Sequence, residues 1–172
     1  DYAQGTILCR NTDNGIQCTA EQTLHLPAES SDAILEVFAR NGAHIVRDEA
    51  MTGRIRSMLF TDGRLNVELV GKTSAELAHI FGFTVPEETR ALIVTARGAG
   101  EADALCKEKL CPVLACLPYD SFDEAVDNAV RSLKMEGAGH SSILFSNDAD
   151  HVEHAAMRLP VARMAINTAN TV

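Results

Sequence analysis

The chain has 172 residues, a formal net charge of −9 and an apolar share of 46%. That length sets one domain as the starting expectation and suffices to bury about 70% of the unfolded surface, so a core needs neither metal nor disulfides. The negative balance argues against non-specific nucleic-acid binding, and no apolar run approaches the roughly 20 residues of a bilayer-spanning helix.

Residues 2–11 read as a helix already under way. Asp13-Asn14-Gly15 is a turn signal, and a short strand is expected at 23–26. Ile34, Val37 and Phe38 line a helix closed by Gly42, and a further helix covers 48–59. Thr73-Ser74-Ala75-Glu76 is a capping box, with Leu77, Ile80 and Phe81 on one face behind it and Gly82 at its end. Strands are expected at 91–96 and 112–117, apolar runs bounded by turn residues or charges. Ser121-Phe122-Asp123-Glu124 is a second capping box, followed by an apolar stripe from Phe122 through Val126 and Val130 to Leu133. A strand at 142–145, a helix starting at Asp150 and stopped by Pro160, and a strand at 164–167 complete the pattern.

This alternation predicts an α/β fold of three layers, a mostly parallel sheet flanked by helices. Ligands of such sheets are expected beyond the carboxyl ends of the strands. No repeat or linker divides the chain, so 1–172 is expected to be a single domain. It opens on Asp1 rather than Met and stops at Asn170-Thr171-Val172 directly after a strand. Both ends predict a catalytic domain excised from a larger protein.

Five cysteines, an odd number without a secretory signal, read as reduced thiols of a cytosolic protein. Cys18 sits just past the Asp-Asn-Gly turn and just before a strand. A thiol there needs little activation to act as a nucleophile, and adjacent backbone N–H groups could stabilise an oxyanion. The position equally suits a small buried hydrophobe. Cys106, Cys111 and Cys116, spaced by five, match no zinc knuckle and read with Cys9 as packing thiols. On a strand, Cys111 and Cys116 would point to opposite faces. His140 follows Gly137-Ala138-Gly139 and reads as a general acid or base, as a group packing on a cofactor, or as an ordinary loop histidine. His151 and His154 read as a solvated helix face; His25, His44 and His79 carry no signal. Glu108, between Lys107 and Lys109, suits the two hydroxyls of a ribose or else a surface ion-pair cluster with its lysines.

Four segments take these residues together: Asn14-Gly15-x-x-Cys18-x-x-Glu21-Gln22, Glu108-Lys109-Leu110-x-Pro112-x-Leu114-Ala115, Gly137-x-Gly139-His140-Ser141 and Ala162-Arg163-x-x-Ile166-Asn167. In this order and spacing the chain resembles the CoA-acylating aldehyde dehydrogenases. The type is that of the aldehyde dehydrogenase half of bifunctional acetaldehyde/alcohol dehydrogenases and of clostridial succinate-semialdehyde relatives. The resemblance implies an aldehyde dehydrogenase catalytic domain whose cofactor-binding domain and C-terminal segment lie outside this chain. It implies Cys18 as the nucleophile that forms a thiohemiacetal and then a thioester. NAD or NADP would take the hydride, and coenzyme A, as co-substrate, would take the acyl group reversibly. It further implies that the Cys18 N–H forms half of an oxyanion hole, that Glu108 binds the nicotinamide ribose, and that His140 stands near the thiol exchange. No metal is implied. A homo-oligomeric, cytoplasmic parent enzyme is, with partners limited to a small aldehyde and CoA, not nucleic acid or membrane. The isolated chain is expected to be inactive. The alternatives are a hydrolytic aldehyde dehydrogenase, a cysteine hydrolase or acyltransferase using Cys18 and His140, and a non-catalytic scaffold of the same fold. Gln17 and Thr19 beside the thiol, and Cys111 before Pro112, depart from the family pattern.

Overall fold

Parallel strands cannot be joined by tight turns, so each pairing needs a crossover. The computed structural model describes residues 2–169. Its elements are α1 (Tyr2–Asn11), β1 (Thr23–Pro27), α2 (Ser31–Arg40), β2 (Ala43–Val46), α3 (Glu49–Leu59), β3 (Phe60–Thr61), β4 (Arg64–Leu65), α4 (Ser74–Phe81), β5 (Ala91–Thr95), β6 (Val113–Tyr119), α5 (Phe122–Ser132), β7 (Ser141–Leu144), α6 (Ala149–Arg158) and β8 (Arg163–Ile166). The predicted ending at Asn170-Thr171-Val172 lies outside the described residues. Strands β1, β6, β5 and β2 form one sheet in that order, all pairs parallel, with Thr23 opposite Ala115 and Ile93 opposite both Leu114 and Ile45. β7 and β8 form a separate parallel pair, and β3–β4 is a small hairpin.

The period of two along each strand sorts the core into two layers. Ala91, Ile93, Leu114 and Cys116 pack against Ala3 and Ile7 of α1 and Leu35 and Phe38 of α2. Leu92, Val94, Val113, Ala115 and Leu117 face the other way, onto Ile55 and Leu59 of α3 and Leu77 and Phe81 of α4. This is the three-layer α/β fold the alternation predicts. Among the described residues no helix is long and apolar enough to cross a membrane.

The helix starts follow their capping signals. The Thr73 box closes reciprocally: Thr73 Oγ1 accepts the Glu76 N–H at 3.2 Å and Glu76 Oε2 accepts the Thr73 N–H at 2.8 Å. Ser121 caps Glu124 N–H at 3.2 Å, but the Glu124 carboxylate reaches one residue further back, to the Asp120 N–H at 2.8 Å. Three expectations need correction. The cap of α6 is Asp148, whose Oδ1 accepts from the N–H groups of Asp150 and His151, so the helix starts before Asp150. His151 and His154 are not merely a solvated face. The His151 ring stacks on Phe122 at 3.8 Å, and His154 Nε2 lies 3.3 Å from Asp123, so both dock α6 onto α5. Cys111 precedes β6, so strand alternation does not apply to it, although it and Cys116 are both buried as expected.

Candidate active site

Cys18 lies in the turns between α1 and β1, and Glu108 in the segment between β5 and β6. Because β1 and β6 are parallel neighbours, both residues stand at the amino edge of the sheet. His140 stands directly before β7. All three line one cleft of about 510 Å³, which runs along β1 with α5 as its other wall. The cleft also reaches the carboxyl ends of β1 and β6, at Pro27 and Tyr119, but Cys18 and Glu108 stand at the opposite, amino end. At the carboxyl ends, β1 runs at once into the helical turn Ala28–Ser30 and β6 into the α5 cap. The longer irregular segments, before β1 and between β5 and β6, have room to carry reactive groups.

Several contacts bind the two segments together. Asp13 and Asn14 take left-handed backbone angles (φ 49° and 50°), which Asp and Asn tolerate, and Gly15 follows at φ 79°. The Gly15 backbone then lies directly on the Cys111–Pro112 peptide. Asn14 Nδ2 donates to Gly71 O at 2.9 Å, and Gly71 N–H donates to Leu110 O at 3.0 Å. Arg10, fully buried in α1, donates to Glu21 O at 3.2 Å and to Cys111 O. Further back, Asp103 takes both ends of the Arg56 guanidinium at 2.7 Å and the N–H groups of Arg97 and Leu105. Burial opposes ionisation of Asp103, but these bonds outweigh it and hold its carboxyl below the usual range.

The thiols separate cleanly. Cys18 is exposed and the other four are buried. Burial pushes Cys116 up to about 12 and raises Cys111 as well, which leaves both as neutral packing groups near pH 7. The Cys18 N–H meets no acceptor among the described residues. Glu108 is half-buried; its N–H donates to Glu136 Oε2 at 3.0 Å, and its own carboxylate accepts no hydrogen bond among the described residues. The flanking-lysine cluster does not form. Lys107 pairs with Glu136 at 3.1 Å and donates to Gly63 O, while Lys109 is fully buried. His140 is exposed, with Nδ1 3.1 Å from Ser141 Oγ, and no hydrogen bond joins it to Cys18 among the described residues.

One lining residue gave no sequence signal. His25, on β1, has Nε2 3.3 Å from Thr23 Oγ1 and an Nδ1 with no partner among the described residues. Burial pushes its pKa down to about 4. Between pH 6.5 and 4 the unfolded chain therefore binds a proton that the folded chain refuses. Stability from this group is complete above pH 6.5 and is lost as pH falls to 4, by at most about 3 kcal/mol. His25→Gln, which stays neutral, is expected to flatten that part of the acid slope. Urea unfolding of parent and variant at both pH values measures it; identical slopes would refute the assignment.

No family model matches the chain. It is 42% identical to an acetylating succinate-semialdehyde dehydrogenase of Clostridium kluyveri over 165 residues, which is 96% of this chain and 36% of that protein. It is 30% identical to the bifunctional aldehyde-alcohol dehydrogenase of Escherichia coli K12, over 94% of this chain and 18% of that one. A crystal structure of Rhodopseudomonas palustris propionaldehyde dehydrogenase with bound propionyl-CoA superposes with a TM-score of 0.87 at 20% identity, covering 98% of this chain and 37% of that one. By these similarities the chain is related to proteins named as acetylating aldehyde dehydrogenases, and it shares their fold. It spans about a third or less of the relatives it matches.

Proposed function

We propose that this chain is the nucleophile-bearing catalytic domain of an enzyme that converts an aldehyde to acyl-CoA with NAD(P)+ and CoA. The observation that carries the reading is the placement of the one exposed thiol, Cys18, in the same cleft as Glu108 and His140. In this reading Cys18 adds to the aldehyde carbon, and the new alkoxide receives the unpartnered Cys18 N–H. The nicotinamide cofactor supplies the acceptor for the hydride lost from that carbon, leaving a thioester on Cys18. The CoA thiol then takes the acyl group, and Cys18 leaves as thiolate.

Glu108 fits the cofactor. Its backbone is held by Glu136, its carboxylate is uncommitted, and a carboxylate with two free oxygens can accept from both hydroxyls of a ribose. We assign His140, an exposed residue that lines the cleft, to the thiol-exchange step. The remaining cofactor contacts are assigned to chain outside these 172 residues. The free thiols fit a reducing, cytoplasmic setting, and a homo-oligomeric parent fits the family resemblance.

The test is product analysis on the full-length enzyme. With aldehyde, NAD+ or NADP+ and CoA, NAD(P)H and acyl-CoA should form in equal amounts, with turnover lost when CoA is omitted. Sustained turnover to the free carboxylate without CoA would instead make it a hydrolytic aldehyde dehydrogenase.

A further inference from the structure

Lys109 is fully buried, an unusual place for an ammonium, and it is surrounded by carbonyl oxygens. Nζ donates to Leu105 O at 2.8 Å, Lys107 O at 2.8 Å and Gln22 O at 3.1 Å. Two of these carbonyls belong to the segment that carries Glu108. The third, of Gln22, directly precedes β1 in the segment that carries Cys18. A second bond doubles the grip: the Lys109 N–H donates to Gln22 Oε1 at 3.1 Å.

The consequence for Glu108 is specific. The peptide that joins Lys107 to Glu108 is pinned at both ends: its oxygen by the Lys109 ammonium, and its N–H by Glu136, which Lys107 itself holds at 3.1 Å. A peptide plane fixed at both polar ends sets the direction of the Glu108 N–Cα bond, the base from which the side chain projects. Burial and the nearby Arg10 cation push the Lys109 pKa down to about 7, while three carbonyl acceptors match the three protons of the ammonium. So costly a group has no counterpart in packing alone; a methionine would fill the same space without the desolvation.

We propose that Lys109 is a positioning residue, which sets the Glu108 carboxylate against the Cys18 thiol by holding backbone carbonyls of both segments on one buried ammonium. This rests on the roles proposed above for Cys18 and Glu108.

The test uses the full-length enzyme with Lys109→Met. Loss of charge-assisted bonds on the Glu108 side should raise the KM for the nicotinamide cofactor on the order of tenfold to a hundredfold. The rate of Cys18 alkylation by iodoacetamide, and the KM for CoA, should stay within about twofold. Lys109→Arg, which keeps the charge but cannot place three protons on the same three carbonyls, should raise the cofactor KM by a smaller factor in the same direction, and it carries the test if Lys109→Met does not fold. A lowered melting temperature with unchanged cofactor KM in both variants would overturn the proposal and leave Lys109 as a packing cation. An equal loss in every kinetic constant would overturn it too. Failure of the underlying reading is seen separately, as full CoA-dependent activity in Cys18→Ala or an unchanged cofactor KM in Glu108→Gln.

Discussion

Cys18→Ala in the full-length enzyme is expected to lose CoA-dependent aldehyde oxidation by a factor on the order of 10⁴ or more, as removal of a catalytic nucleophile does elsewhere. That factor corresponds to about 5 kcal/mol or more of barrier. The substitution is a clean probe, because Cys18 is exposed, so thermal stability should stay within about 0.5 kcal/mol of the parent. The other thiols cannot take over the role: Cys111 and Cys116 are buried, with the thiol pushed toward the neutral form. Replacement of any of the four buried cysteines should act through packing, lowering stability with little change per folded molecule. Steady-state rates at saturating aldehyde and CoA, with acyl-CoA quantified directly, decide the matter. Retained activity in Cys18→Ala would remove the covalent mechanism altogether.

The sequence disclosed some of this arrangement and not the rest, for identifiable reasons. Capping boxes are local, so Thr73 and Ser121 marked α4 and α5 correctly. The turn before Cys18 is local as well, since Asp13, Asn14 and Gly15 each suit the left-handed backbone they adopt. Strand β2 is only four residues, Ala43–Val46, too short to show a period, and it forms because β5 offers it a partner. Arg10 and Lys109 read as ordinary charges. Their burial depends on carbonyls of Glu21, Cys111 and Gln22, of which Cys111 and Gln22 lie 101 and 87 residues away along the chain. His25 likewise became informative only once β1 lay along a cleft. Tertiary pairing, not local preference, makes these residues what they are.

Gly15→Ala is expected to have the largest effect of any substitution that leaves the reactive groups untouched. A Cβ at Gly15 would stand 2.5 Å from the Cys111 carbonyl carbon, 2.7 Å from its oxygen and 2.8 Å from Pro112 N. All three are backbone atoms, so no side chain can rotate away. The left-handed conformation (φ 79°) costs an alanine about 1–2 kcal/mol, and overpacking adds about 1–3 kcal/mol. Gly63 supplies the control. It has a similar φ of 72° but nothing within 4 Å of its would-be Cβ, so Gly63→Ala isolates the conformational part. Gly15→Ala should therefore lower stability by about 2–5 kcal/mol and Gly63→Ala by only about 1–2 kcal/mol. Relief of the clash shifts the Gly15 turn against the Cys111–Pro112 peptide, and with it the Cys18 segment relative to the Glu108 segment. Activity per folded molecule should then fall in Gly15→Ala and persist in Gly63→Ala. Parallel melting and kinetic measurements on both variants test the pair. Equal behaviour would mean that the contact between the two segments is not what holds the cleft in shape.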